Sequence, residues 1–272
     1  MEVDANMKRN FKYYWKIYWK IIAQDIKSKM SYRADFIIST FGMLAMNIAG
    51  AFGFWLVFQM FPSISGWSYH EMLFLYGFSL VAATPAQCLF DNNWNLRFQV
   101  YSGDFIKYCF RPINLFFYYM SEVFDVKGIG QFVFGVVAMA YAWCKLSLPF
   151  HVYSILLLLV AVLSASLFVI AILNLAASAC FWLVNSFFVL SLSNQLRDFA
   201  KYPMSIFGPA LRIVFTFVIP IGFMAYYPSL IFTRPDEVSW VIWLTPVMGV
   251  LFFYLSYKVW MKGAMNYSGT GS

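Results

Sequence analysis

Six long stretches of the chain contain no Asp, Glu, Lys or Arg. They are residues 36–70, 72–90, 128–144, 146–196, 213–233 and 238–257. A helix needs roughly 17–25 apolar residues to cross the hydrocarbon layer, so five of these stretches suit one span each. Residues 146–196 would form a helix of about 76 Å at 1.5 Å per residue, far longer than the ~30 Å layer. They therefore contain two segments, with a break predicted near Asn174–Ser178, and the pattern yields seven apolar segments.

The composition identifies lipid as the solvent of these segments. The 272-residue chain is 62% hydrophobic and 11% charged, whereas soluble domains carry roughly 25% charged residues. A soluble core could not bury this much apolar surface. The sequence therefore predicts an all-α membrane protein, because helices satisfy their own backbone groups in lipid. The four cysteines have no metal-ligand or redox spacing, and we expect them to be reduced thiols: Cys88, Cys109, Cys144 and Cys180.

Residues 1–34 predict an amphipathic helix in the membrane interface. They contain eight of the nineteen basic residues. At about 100° per residue, one side of this helix carries Lys8, Lys12, Lys16, Lys20 and Lys27. The other side carries Phe11, Tyr14, Trp15, Tyr18, Ile21 and Ile22. Such lysines reach anionic headgroups while the aromatic rings enter the acyl chains. The positive-inside rule places this end in the cytoplasm. A calmodulin target or a nucleic-acid arm would carry similar charge, but a position directly before a span favours the membrane.

Residues 35–272 are predicted to form one transmembrane domain. Its six spans are predicted at residues 36–61, 72–90, 129–143, 151–173, 177–196 and 240–257. Seven crossings would place the C-terminal region, with Lys258 and Lys262, outside the cell. One of the seven apolar segments is therefore expected not to cross.

Two alternatives account for the extra segment. Charge favours keeping residues 177–196 at the cytoplasmic surface, which leaves three basic residues inside: Arg197, Lys201 and Arg212. Alternatively, residues 177–196 form the fifth span, and residues 203–231 form a re-entrant helical pair near the outer surface. Broken helices are tolerated at membrane depth when protein surrounds them. Frequent helix breakers favour this second alternative: Pro203, Gly208, Pro209, Pro220, Gly222 and Pro228.

No motif for energy conversion or catalysis occurs in the chain. A phosphate-binding loop, a zinc-protease motif, a serine nucleophile elbow and a Cys/His metal cluster are all absent from the sequence. The predicted span interiors hold no ionisable residue, which argues against ion-coupled transport. We expect no enzyme and no cofactor in this chain. The most economical interpretation is a permease subunit driven by a separate ATPase.

Three stretches resemble one branch of the type-2 ABC exporter permeases, the viologen and multidrug-export branch. Residues 101–112 read YSGDFIKYCFRP and are similar to the branch's Gly-Asp…Leu-x-Arg-Pro stretch, with Cys109 in an aliphatic position. Residues 201–228 carry a Tyr-Pro…Ile-Pro…Tyr-Pro pattern like that of the branch. Residues 260–272 resemble its Tyr-x-Ser-x-Gly ending, from which we expect a native C-terminus.

The resemblance implies a six-span subunit of a bacterial cytoplasmic membrane, with both termini cytoplasmic. It implies a second permease, the same chain or a sister chain, and two cytoplasmic ATPase subunits that bind ATP and Mg²⁺. It does not imply a nucleic-acid partner. It also favours the re-entrant interpretation of residues 203–231, because related permeases carry short helices near the outer gate between the fifth and sixth spans. We adopt this interpretation although positive-inside counting disagrees, and it assigns four prolines to an outer gate: Pro203, Pro209, Pro220 and Pro228.

Residues 91–112, the coupling segment, are predicted to contain a helix that contacts the ATPase. Gly103 would allow a tight turn, Asp104 would cap the following helix, and Pro112 would start or break one. Arg111 would pair with an acidic group of the ATPase or with a lipid phosphate. The alternative is an ordinary cytoplasmic loop with ordinary capping residues.

The expected cargo is an amphiphilic or hydrophobic small molecule. Six aromatic residues are candidates for its route, and equally for lipid contact or helix packing: Phe52, Phe54, Trp55, Phe181, Trp182 and Phe187. A non-transporting membrane scaffold or accessory protein is the rival function, and an ion-coupled secondary transporter is the third.

Overall fold

The computed structural model describes residues 11–30, 33–183, 186–237 and 240–267. Within these ranges the regular structure is helical, apart from one isolated bridge between Ile64 and Trp67. The α-helices are α1 Phe11–Met30, α2 Arg33–Met60, α3 Tyr69–Leu89, α4 Asn93–Ser102, α5 Ile106–Cys109, α6 Leu115–Ser121, α7 Lys127–Lys145, α8 Val152–Ser178, α9 Phe187–Arg197, α10 Pro209–Ile213, α11 Tyr226–Thr233 and α12 Thr245–Met265. Short 3₁₀ turns link many of them, and a π-helical turn follows α10 at Val214–Val218.

Five helical stretches of the described chain are long and apolar enough to cross a membrane. They are Ile37–Met60, Tyr69–Ser102, Lys127–Lys145, Val152–Phe181 and Ile242–Met265. This confirms a multi-pass, all-helical membrane protein. The predicted count of six is not confirmed and stays a prediction, because residues 177–196 are not one helix. Their first part continues α8, and their last part belongs to α9, which has 11 residues.

The break predicted near Asn174–Ser178 falls at the far end of that range, because α8 continues past Asn174 and ends at Ser178. Asn93 on α4 donates from its amide to the Asn174 side-chain oxygen at 2.5 Å. Ser178 donates from its hydroxyl to the Asn174 carbonyl at 2.6 Å. Asn174 and Ser178 are fully buried, and these bonds pair the Asn174 side-chain oxygen and the Ser178 hydroxyl, so the helix stays closed at Asn174. The Asn174 amide nitrogen has no hydrogen-bond partner among the described residues. A 3₁₀ turn at Ala179–Phe181 follows the helix.

The long helices approach one another closely where they carry glycine. A Cβ on Gly77 of α3 would lie 2.7 Å from the carbonyl oxygen of Gly135 on α7. A Cβ on Gly249 of α12 would collide with the carbonyl oxygen of Ser164 on α8. Small residues at such crossings let helices pack in lipid, where no hydrophobic force drives them together.

The bundle has two ends, named here after the tryptophan buried at each. Trp67 precedes α3, and Trp260 lies near the end of α12; both are fully buried. Helices α2, α3, α7 and α8 run between the two ends in alternating directions, and α12 runs parallel to α8, since Gly249 meets Ser164 and Gly263 meets Phe181. At the Trp67 end, Ser68 and Glu71 form a capping box on α3, with bonds of 3.4 and 2.8 Å.

Residues 187–205 connect opposite ends of the bundle. Near the Trp260 end, Phe187 packs on Trp94 of α4 with ring centres 6.4 Å apart. At the Trp67 end, the Trp67 indole donates to the Ser205 hydroxyl at 2.9 Å. Helix α9 and two 3₁₀ turns, at 198–201 and 204–206, make this connection.

Residues 205–234 begin and end at the Trp67 end. Arg234 donates to the carboxylate of Glu71 at 2.8 Å, at the start of α3. Between these points the chain reaches into the bundle, where Phe223 packs on Phe168 of α8 with ring centres 6.0 Å apart. Phe168 itself packs on Phe252 of α12.

Helix α1 packs on α6 and the loop that follows it. The ring centres of Tyr18 and Phe117 lie 6.2 Å apart, and Ile22 is buried. Asp25 accepts from the Phe124 amide at 2.9 Å, and Lys29 donates to the Phe124 carbonyl at 2.8 Å. Four of the five lysines and two tryptophans of this helix are on its exposed surface: Lys12, Trp15, Lys16, Trp19, Lys20 and Lys27.

Candidate coupling surface

The second half of the coupling segment presents a nearly continuous exposed surface at the Trp260 end. Tyr101 is 71% exposed and Phe110 is 79% exposed. Ile106, Lys107 and Arg111 are exposed beside them. We name these five side chains the coupling surface. Large apolar side chains next to basic ones, outside the spans, form a surface that suits a protein partner better than water.

Phe105 holds this surface onto the bundle. Its side chain is fully buried, although its neighbours on both sides are exposed. The ring centre lies 5.3 Å from that of Phe181, which follows α8, and 5.9 Å from that of Trp260 on α12. Edge-to-face ring contacts at these distances add about 0.5–1.5 kcal/mol each to the burial of the rings.

Tyr108, one turn further on, is the second anchor. Its hydroxyl donates to the carboxylate of Glu122, and its ring lies 5.0 Å from Tyr119 on α6. Burial and the Glu122 carboxylate raise the pKa of Tyr108 above the ordinary tyrosine value. The phenol therefore stays protonated, as the hydrogen bond to Glu122 requires.

Trp260 connects these anchors to the last span. Its ring centre lies 5.1 Å from Phe116, 5.7 Å from Tyr119 and 5.7 Å from Phe181. A Cβ on Gly263, one turn later, would collide with the ring of Phe181. The segment that leads into α5 is thus in direct contact, through Phe105, with α12 and with the turn that follows α8.

Tyr267 closes the cluster from the C-terminal side. Its ring stands perpendicular to Phe105 with centres 5.3 Å apart, and its hydroxyl donates to the Val100 carbonyl at 3.1 Å. The described chain thus ends against the same segment that carries the coupling surface. The whole arrangement is an exposed platform fixed by aromatic contacts to three helices.

Comparison with known proteins gives this platform a context. The sequence model of the ABC-2 family transporter proteins matches residues 41–271. This chain belongs to the ABC-2 family of transporter proteins. Membership indicates the permease subunit of an ABC transporter and implies an ABC ATPase as its partner. No curated protein and no solved structure matches the chain.

In this ABC-2 protein, Gly103 adopts the left-handed conformation that the sequence predicts for a tight turn. Its φ is 83°, and it ends α4. The capping predicted for Asp104 is wrong: α5 has no side-chain cap, and Asp104 instead accepts from the Ser102 hydroxyl at 2.8 Å. Ser102 competes for the carboxylate because the left-handed turn brings the two side chains together.

Arg111 and Pro112 lie in the break between α5 and α6, as the sequence predicts for Pro112. Both are exposed. The Arg111 guanidinium lies 5.7 Å from the centre of the Tyr118 ring, and no ion pair of Arg111 occurs among the described residues. The guanidinium can donate two parallel hydrogen bonds to one carboxylate, and it is therefore available to an acidic group of a partner.

The four prolines assigned to an outer gate lie far along the chain from the coupling surface, and they do not act alike. Pro203 precedes a 3₁₀ turn, Pro209 begins α10, and Pro220 follows the π-helical turn. Pro228 was expected to break a helix but lies within the first turn of α11, where a missing amide costs no intrahelical bond.

Sequence reasoning missed the anchors Phe105, Tyr108, Trp260 and Tyr267. Each is one aromatic residue among many in a chain that is 22% aromatic. The available signal was the spacing of Phe105 and Tyr108, which face the same side of a helix while charged residues lie between and beside them.

A groove between α2 and α9 is the second candidate feature, with α3 as its back wall. It consists of three adjoining cavities of about 200, 400 and 490 Å³. Met43 and Arg197 line the first two, and Gly50 and Lys201 line the last two. The groove therefore extends from the level of Trp94 to the level of Ile64, most of the distance between the bundle ends.

The groove corrects one expectation from the sequence. The predicted spans hold no ionisable residue, yet Arg197, Asp198 and Lys201 line the middle cavity beside Asn47 and Tyr76. These two neighbours lie well inside α2 and α3. The charged residues immediately follow a predicted span in sequence, and only the short, interrupted path of α9 brings them back to this depth.

Proposed function

We propose that the chain is a permease subunit that exports an amphiphilic or hydrophobic small molecule, driven by a separate ABC ATPase that docks on the coupling surface. One observation carries this proposal. Exposed Tyr101, Ile106 and Phe110 are held by buried Phe105 and Tyr108 in an aromatic cluster that reaches α12. A partner that pushes this surface moves the last span, which is what coupling requires.

The proposed topology has six crossings. Five are the long apolar stretches, and the sixth is the interrupted path of residues 187–205, which joins opposite bundle ends. Residues 203–231 form the proposed re-entrant pair. Its support is that Ser205 and Arg234 both contact the Trp67 end, while Phe223 between them reaches Phe168 inside the bundle.

Both chain ends are proposed to lie in the cytoplasm of a bacterial cell, with the protein in the cytoplasmic membrane. Helix α1 and Tyr267 lie at the same bundle end as the coupling surface, since Tyr18 contacts Phe117 and Tyr267 contacts Phe105. The exposed lysines and tryptophans of α1 support its proposed position in the interface. Of the 34 residues in the proposed N-terminal unit, residues 1–10 and 31–32 lie outside the described chain.

In the proposed complex, ATP hydrolysis takes place in the partner ATPase. The chain has no catalytic role, and the ATPase binds ATP and Mg²⁺. A second permease, identical or sister, completes the pathway, because one copy leaves the groove between α2 and α9 open on the α2 side, where most residues are exposed. The likeness to the viologen and multidrug-export branch supports an amphiphilic cargo.

The test is co-expression of the full chain with candidate ATPases and measurement of ATP hydrolysis in the purified complex. Phe110→Ala and Arg111→Ala should reduce complex formation and permease-dependent hydrolysis by about tenfold, as expected for interface residues that dominate binding. Phe150→Ala is the matched control, since Phe150 is 68% exposed at the other bundle end.

Unchanged hydrolysis in a well-expressed Phe110→Ala complex would reject the coupling surface. A membrane scaffold is the alternative function, and it predicts that no ATPase co-purifies with the chain under any of these conditions.

A further inference from the structure

Two basic side chains share one side of the groove wall. Arg197 is the last residue of α9, and Lys201 ends the 3₁₀ turn that follows. Both line the 400 Å³ cavity, Arg197 extending to the cavity at the Trp94 level and Lys201 to the one at the Ile64 level. Residues four apart on a helical path are neighbours, so the two cations flank one volume.

The protein only partly neutralises these cations. Arg197 contacts the Asp198 carboxylate at 3.4 Å, the long end of the hydrogen-bonding range. Lys201 has no ion pair in the part of the chain that the structure describes; its ammonium lies 5.5 Å from the Tyr202 ring centre. The acidic residues facing the groove are Asp198 and, at the Trp94 level, Asp91. A cation at membrane depth is costly without an anion, so a net positive site here calls for one.

The adjoining walls are apolar. The cavity at the Ile64 level, about 490 Å³, is lined chiefly by Gly53, Phe54, Val57, Ile64, Met72 and Ile206. Lys201 stands at its border with the middle cavity. The groove thus offers a positive compartment next to an apolar one, with a volume typical of small-molecule sites.

We propose that Arg197 and Lys201 form a headgroup subsite for an amphiphile that carries a single anionic group such as a phosphate ester, with its apolar body in the adjoining cavity at the Ile64 level. The guanidinium and the ammonium bind the anionic oxygens, since charge-assisted hydrogen bonds are the strongest available to them. The assignment of this ligand as transported cargo rests on the proposed export function; the binding itself does not.

The test measures binding by the full chain alone, purified in a neutral maltoside detergent, using native mass spectrometry. The probes are dodecyl phosphate, dodecylphosphocholine with the same alkyl chain but no net charge, and inorganic phosphate. We expect dodecyl phosphate to bind at least about tenfold more tightly than either comparison probe, a factor that one charge-assisted contact supplies.

Charge-removing variants distinguish binding at this subsite from nonspecific attraction between the anionic probe and a basic protein. Arg197→Gln/Lys201→Gln should lower dodecyl phosphate affinity by about tenfold or more, whereas Lys258→Gln/Lys262→Gln, with the same change in charge on α12, should leave it unchanged. Asp198→Asn removes the competing carboxylate and should tighten binding. This gain in affinity tests the subsite even if the double variant fails to fold. Lys201→Arg keeps the positive charge and should retain binding.

Four results would overturn the subsite: equal affinity for both dodecyl probes, inorganic phosphate bound as tightly as dodecyl phosphate, no binding at all, or full binding by a folded double variant. The absence of binding is also the result expected if a second copy of the chain fills the groove. Failure of the export proposal is distinguishable, because it would appear as the absence of an ATPase complex while dodecyl phosphate binding persists.

Discussion

Arg234 places its guanidinium 4.1 Å from the centre of the Trp67 ring and joins two parts of the chain that are far apart in sequence. The same group donates to Glu71 at 2.8 Å and to the Gly66 carbonyl. The Trp67 indole in turn donates to Ser205. Both ends of the proposed re-entrant region therefore contact the turn before α3. The stacking of Arg234 on Trp67 lies at the centre of these contacts and holds the Trp67 end together.

Arg234→Gln should destabilise the protein by about 2–4 kcal/mol, because it leaves the mostly buried Glu71 carboxylate without its partner. Thermal unfolding of the purified chain in detergent measures the effect. Arg212→Gln, an exposed arginine of α10, is the control and should change little. A loss of equal size in Arg234→Gln and Arg234→Gln/Glu71→Gln would show that the ion pair is not the cause.

Gly103→Ala should cost about 1–2 kcal/mol, because a φ of 83° places a Cβ against the following carbonyl. It should also weaken ATPase stimulation, since relaxing the turn moves the coupling surface. Gly42→Ala is the matched control: Gly42 is helical with open space around its Cβ position, so alanine should stabilise α2 slightly. Equal stability changes in the two variants would contradict the role of the turn.

Tyr108→Phe should cost about 1–2 kcal/mol by removing the hydrogen bond to Glu122 while preserving the ring packing. The effect should depend on pH. Burial and Glu122 raise the folded-state pKa of Tyr108 above the unfolded value, so its contribution is complete below the unfolded pKa of about 10 and is lost as pH rises beyond it.

The difference in melting temperature between wild type and Tyr108→Phe measures this dependence. It should be constant near neutral pH and shrink as the solution becomes strongly alkaline. Tyr101→Phe is the control, since Tyr101 is 71% exposed. A difference that grows with pH would contradict the assignment.

Gly249→Val should disrupt the crossing of α8 and α12, because any Cβ meets the Ser164 backbone, which cannot rotate away. The expected cost is about 1–3 kcal/mol or more, the range for overpacked cores. Gly53→Val is the control, as Gly53 has open space at its Cβ position. The yield of monodisperse protein after size exclusion checks the prediction, and equal yields would argue against a tight crossing.

The helices themselves could be located from the sequence. Each of the five long stretches overlaps a charge-free run, because transfer into lipid depends mainly on local composition and length. The turn at Gly103 could also be predicted from the sequence, because it depends only on the residues next to it. The cap at Asp104 was not: whether its carboxylate accepts from a backbone amide or from Ser102 depends on the exact direction of the turn.

The exact end of α8 is a detail that the sequence alone leaves open: the break is predicted near Asn174–Ser178, and the helix ends at Ser178. The Asn174 side-chain oxygen accepts from Asn93, which is 81 positions away in the sequence, so the helix can continue past this buried polar residue. The anchors Phe105 and Trp260 could not be picked out for the same reason, since ring contacts join residues that no sequence period relates.

Membrane embedding and the positions of the long helices follow from the order of residues, because both depend on the solvent preference of neighbouring side chains. The interfacial position of the basic N-terminal segment stays a prediction from the same kind of pattern. The depth of Arg197 and Lys201, the continuity of α8 and the aromatic support of the coupling surface were decided by the fold. They depend on the distant groups that surround each side chain, and these become neighbours only when the bundle closes.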